Sequence, residues 1–133
     1  MAKRNATPSS DRVDALLAEK SAVLSQAQVL ASLGMAQTAQ PLWASAASFE
    51  ERIASLLDAD GEDREAAVHR ISAASCYDKA GDPSRAANLF RAALAGPLRT
   101  VTRKEVRDML AACLTRLRAS APRRPTSNGT DVL

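Results

Sequence analysis

The sequence predicts an all-α protein, and three observations carry that expectation. Alanine, the strongest helix former, supplies 28 of the 133 residues. Strand signals are missing: there are only two isoleucines, and the valines and threonines are scattered rather than alternating. The third observation is an internal repeat at a 47-residue offset, in which Gly34 returns as Gly81, Ala39 as Ala86, Leu42 as Leu89, Trp43 as Phe90 and Ala46 as Ala93. Upstream, Leu24 matches Ile71, Ala27 matches Ala74 and Leu30 matches Tyr77. Each copy reads as a helix, a glycine corner and a second helix packed back on the first. Repetition on this scale is the mark of helical arrays that stack units and offer a surface to a partner.

The length fits one domain, laid out as a disordered N-terminus over 1–10, a helical domain over 11–118 and a disordered basic and polar tail over 119–133. The first helix is expected from a cap at Ser10 or Asp11 to about Leu33. Its apolar stripe is Val13, Leu16, Leu17, Val23, Leu24, Ala27 and Leu30. Gly34 supplies the left-handed residue that ends it. A second helix runs from about Gln37 to Leu57, with Pro41 placed in roughly the first turn, where a missing backbone donor matters least. Its stripe of Leu42, Ala46, Phe49, Ile53 and Leu56 is widened by Trp43, Ala47, Ala54 and Leu57, as in a helix contacted on two sides.

An acidic turn, Asp58–Asp63, leads to a third helix over about Arg64–Ala80, with Ala67, Ile71, Ala74 and Tyr77 inward. Gly81 ends it, and Asp82-Pro83 gives a cap and first-turn proline for a fourth helix that runs to about Ala95. Thr102 and Glu105 match a capping box opening a fifth helix to about Arg118. Val106, Met109, Leu110, Cys113, Leu114 and Leu117 form its apolar stripe.

Charge is unevenly distributed. Residues 21–96 carry six basic and nine acidic side chains, whereas 97–124 carry eight basic and two acidic. The body is therefore acidic and the last helix and tail are basic. Cys76 and Cys113 lie among apolar residues at helical spacing, which favours free buried thiols in a reducing compartment. No segment has the roughly 18 apolar residues of a membrane span, and the N-terminus lacks the apolar core of a signal peptide. A cytoplasmic protein without membrane contact is expected. Abundant alanine, and arginine in place of lysine, suggest a bacterial source of high GC content.

Catalysis has little to draw on. His69 is the single histidine, with no acid or thiol at catalytic spacing on its own helix, and reads as a helix-flank residue. A site combining His69, Cys76 and Cys113 would lack any paired ligand motif. In the acidic turn the glycine is misplaced for a calcium loop, and His69 stands where a bidentate glutamate is needed. No cofactor and no metal are expected, and the protein reads as a non-enzyme.

Residues 74–97 resemble a tetratricopeptide repeat. The small residue and aromatic late in that family's first helix are matched by Ala74 and Tyr77, its glycine–acidic corner by Gly81-Asp82, and its alanine–aromatic–alanine second helix by Ala86, Phe90 and Ala93, with Pro97 near the closing proline. Ala27, Gly34, Ala39, Trp43 and Ala46 form a weaker first unit. The resemblance implies two tetratricopeptide-like antiparallel hairpins plus a capping helix, with a five-helix bundle as the alternative. It also implies a non-catalytic protein-binding module or adaptor whose concave face carries Leu24, Gln28, Ala31 and Ser32, then Ile71, Ser75, Asp78 and Lys79, with Arg103 and Arg107 added by the fifth helix. A basic patch of Arg99, Arg103, Lys104, Arg107, Arg116 and Arg118 supports a second expectation, an accessory protein that binds nucleic acid. A homodimeric assembly bundle is the third, since two units leave an apolar edge that self-association or a larger partner would cover.

Overall fold

Five helices follow one another in the computed structural model, which describes residues 8–120. They are α1 (Pro8–Ser32), α2 (Ala36–Ala59), α3 (Asp63–Lys79), α4 (Pro83–Leu94) and α5 (Thr100–Ser120). No strand occurs among the described residues. The all-α expectation holds. The expected tail beyond Ser120 and most of the expected N-terminal segment lie outside the described residues.

Three corners are built the same way. Gly34, Gly61 and Gly81 have φ of 79°, 79° and 83°, a region that costs side-chain-bearing residues about 1 kcal/mol or more. At each, the glycine N–H bonds the carbonyl three residues back, and the next residue's N–H bonds the one five back: Met35 to Leu30 (2.9 Å), Glu62 to Leu57 (2.8 Å) and Asp82 to Tyr77 (2.9 Å). This is the Schellman closure of a helix C-terminus. Met35, Glu62 and Asp82 then cap the next helix, so each connection is as short as a helical hairpin permits. Only Asp82 also caps with its side chain, accepting from Arg85 N–H at 3.1 Å as expected.

Alanine recurs in register with each glycine, seven residues before it and five and twelve after it. The three sets are Ala27, Ala39 and Ala46; Ala54, Ala66 and Ala73; and Ala74, Ala86 and Ala93. All nine are at most 1% exposed. A methyl group at these positions lets neighbouring backbones come close where the helices cross. The 47-residue repeat thus contains a further copy centred on Gly61. That copy is disguised because it carries Arg70, ion-paired with Asp58, where the others carry Trp43 and Phe90.

Alanine in place of any one of the three glycines is expected to cost about 1–2 kcal/mol, measured by urea unfolding. Only at Gly81 would the new Cβ meet a neighbour, Gln40 Nε2 at 3.0 Å. That atom ends a flexible side chain and can give way, so the three losses should be similar.

Each helix packs on the next, α1 on α2 through to α4 on α5, and α1 makes no extensive contact with α4 or α5. The helices form an open zigzag file. Side chains bridge alternate members: Lys20 of α1 and His69 of α3 both reach Glu50 of α2, and Arg116 of α5 reaches Asp78 of α3. Helices α1, α3 and α5 therefore line one side, with α2 and α4 behind. The core has two parts. One gathers Trp43, Tyr77, Phe90, Val106 and Cys113 among alanines. The other holds Val13, Leu16, Ile53 and Leu57.

Two helix starts and the place of Pro41 differ from expectation. Helix α1 starts at Pro8, not Ser10 or Asp11, because proline is preset for a first-turn position; Ser10 is buried within the helix. Helix α5 starts at Thr100, with Arg103 N–H bonded to Arg99 O at 2.8 Å, so Thr102 and Glu105 are already inside the helix and form no capping box. Pro41 stands inside α2, beyond its first turn. It is exposed, so water can take the carbonyl that its missing N–H leaves unpaired.

Candidate interaction grooves

The zigzag leaves a groove wherever alternate helices flank the one between them. In the α1–α3 groove the floor is α2. There Glu50, only 4% exposed, stands between the two halves of the core. His69 Nδ1 lies 2.6 Å from Glu50 Oε1 and, since the carboxylate accepts, carries the proton. Lys20 Nζ stands 3.7 Å from the other carboxylate oxygen. His69 is thus not a plain flank residue but half of a buried pair. The acid that sequence reading did not find on its helix comes from α2.

Cys76 shares this region. Its thiol is pushed up from the ordinary value, first by burial and next by the Glu50 charge, against smaller opposing effects of Lys79 and Lys20. Lys79 lies with its Nζ 4.6 Å over the Trp43 ring, and Leu24 is half-buried against the same core. Gln28, Ala31 and Ser32 are exposed on the last turns of α1, where the Ser32 hydroxyl donates to the Gln28 carbonyl at 2.9 Å.

Burial also raises the Cys113 thiol, with the Asp78 charge adding to it. Both thiols are free and buried. They should resist a disulfide reagent in the native protein at neutral pH and react fully once it is unfolded. The sign follows: each thiol ionises more readily unfolded than folded. Their contribution to stability is complete below the ordinary thiol range and fades as pH rises through it.

The α3–α5 groove is floored by α4. Ile71 and Ser75 line it, half-buried, and Asp78 closes one end through a two-pronged ion pair with Arg116, whose Nε stands 3.1 Å from Asp78 Oδ1. The other end is open because α4 has 12 residues against 17 in α3 and 21 in α5, so the floor stops short. The result is a cavity of about 520 Å³ lined by Arg64, Glu65, Val68, Leu98, Arg99 and Arg103 among others. Arg103 donates to the carbonyls of Leu94 (2.6 Å) and Gly96 (3.1 Å), closing the C-terminus of α4. Arg64 and Arg99 are exposed, with no ion pair among the described residues.

No known protein family, characterised protein or solved structure matches this chain.

The expected concave face therefore divides. Leu24 and Lys79 belong to the α1–α3 groove, Ile71, Ser75 and Asp78 to the α3–α5 groove, and Gln28 and Ser32 to the open end of α1. The expected basic patch divides too. Arg99 and Arg103 meet at the cavity. Lys104 pairs with Asp108 at 3.3 Å on the outer face of α5. Arg107 stands nine residues, about half a turn in phase, from the α3-facing Arg116, so it projects from the opposite flank of α5 rather than the inner one. Arg118 is exposed near the end of that helix.

On the outer side, the Tyr77 hydroxyl donates to Glu51 Oε1 at 2.6 Å, with Arg85 lying over its ring. Buried side-chain polar atoms among the described residues all have partners, and no group of three or more potential metal ligands occurs there.

Proposed function

We propose that this chain is a non-catalytic protein–protein interaction module or adaptor, made of tetratricopeptide-like hairpins and acting in the cytoplasm. The observation that carries the reading is the α3–α5 groove. It combines a floor of α4, half-buried Ile71 and Ser75 on the α3 wall, a cavity open at one end, and two arginines without an ion pair among the described residues. Such a groove suits an apolar segment that brings its own carboxylates, and the ion-paired closed end gives it a fixed shape. Two free buried thiols favour a reducing compartment. No described helix is long and apolar enough to cross a membrane. The nucleic-acid reading is weaker because Arg103, Lys104 and Arg116 are already engaged within the fold.

Affinity capture from native lysate, with and without nuclease, tests the proposal. A single stoichiometric partner that resists nuclease is expected, and Ser75→Trp, which fills the groove away from its charged end, should abolish capture. Recovery that vanishes with nuclease would transfer the function to α5. A partner retained in full by Ser75→Trp would exclude the groove.

A further inference from the structure

One end of the helix file is electrically divided. It is formed by the α2–α3 corner and the α4–α5 connection, which lie side by side because α3 and α5 run parallel. The corner presents Asp60, Glu62 and Asp63, all exposed. Arg64, in the first turn of α3, and Arg99, in the connection, stand at the mouth of the cavity with Glu65, and Val68, 54% exposed, sits beside them. Asp60, Glu62, Asp63, Arg64 and Arg99 have no ion-pair partner among the described residues, although acids and bases are neighbours in the chain.

We propose that two copies of this chain associate end to end about a two-fold axis, the acidic corner of each seated at the basic cavity of the other. Charges left without an ion pair among the described residues of one copy are then paired between copies, and each contact is made twice, as in any isologous interface. Val68 is covered in the middle. The acidic and basic halves belong to the same tip, so a second copy supplies the complement without any further surface. The contact takes up Arg64 and Arg99, so a partner whose carboxylates reach those arginines competes with the dimer, whereas Ile71 and Ser75 lie outside it.

The size of the tip sets the strength. The tip is a small patch, short of the roughly 20–30 residues a side of a standard interface, so the dimer is weak, with a dissociation constant of about 1–100 μM. Its charges are exposed, so salt weakens it: the Debye length falls from about 10 Å at 0.1 M to about 3 Å at 1 M.

Analytical ultracentrifugation of the purified chain tests this. A monomer–dimer equilibrium is expected at low salt, its dissociation constant rising about tenfold or more by 1 M salt. Reversing the base with Arg64→Glu/Arg99→Glu, or the acid with Asp60→Lys/Glu62→Lys, should leave each protein monomeric. Mixing the two variants should restore a dimer of one copy of each. All four positions are exposed, so the fold survives, and restoration on mixing shows that it has. A monomer at every concentration up to about 1 mM, far above a micromolar constant, overturns the proposal. So does a dimer indifferent to both reversals, a pair that fails to recombine, or a dimer strengthened by salt, which would place the contact on exposed apolar residues such as Val29 and Leu33.

Discussion

Phe90→Ala is expected to lower the unfolding free energy by about 3–5 kcal/mol, the range for truncating a large core side chain. Phe90 is 2% exposed and heads the fully buried side chains by volume. More than half of the buried residues in its core cluster are alanines, among them Ala74, Ala86 and Ala87. A methyl group cannot swing in to fill a vacated ring, so the cavity persists and its cost is near the top of the range. The loss is also local in character. Helix α4 joins α3 to α5, and in a single file each helix is held mainly by its neighbours. Hydrogen exchange should therefore show α4 and α5 losing protection before α1 and α2. Urea unfolding with a change below about 1 kcal/mol would mean that the ring is not the keystone of this end.

Local features of the fold were open to sequence reading, and long-range ones were not. Gly34 and Gly81 announce their corners because a left-handed residue there is written as glycine, and Asp82-Pro83 announces a helix start because cap and first-turn proline are both local chemistry. Gly61 carries the same alanine register but was hidden by Asp58, Asp60 and Arg70, whose charges made the segment look like a solvated turn. Thr102 and Glu105 have the spacing of a capping box, yet the helix extends back to Thr100 because Arg99 already offers its carbonyl to Arg103. The grooves depend on relative helix lengths. The cavity by Arg99 exists because α4 is short, a property of three helices together rather than of any motif. Arg103 and Arg116 looked like parts of one basic patch, and only the packing assigns one to the carbonyls of α4 and the other to Asp78.

Glu50→Ala is the second substitution expected to have a large effect, about 2–4 kcal/mol of destabilisation, and its cause is electrostatic rather than steric. The residue occupies a place in the stripe Trp43, Ala47, Glu50, Ala54 and Leu57 where every other member is apolar and buried. Such a carboxylate survives only because Lys20 and His69 meet it. Removing it leaves both partners facing a nonpolar gap, and breaking a buried pair from one side costs about 3–5 kcal/mol when the survivors are fully enclosed. The side chains of Lys20 and His69 retain 18% and 19% of their exposure, so water recovers part of that loss. Glu50→Gln separates the contributions, since the amide oxygen still accepts from His69 Nδ1 while the charge facing Lys20 is gone. It should cost about 1 kcal/mol, the usual net worth of one such contact. Equal losses for the two variants would show that charge, rather than the hydrogen bond to His69, holds the three helices together. Were Glu50→Ala to unfold at the wild-type urea midpoint, the cluster would contribute nothing to stability, and its presence between the two halves of the core would call for a functional explanation instead.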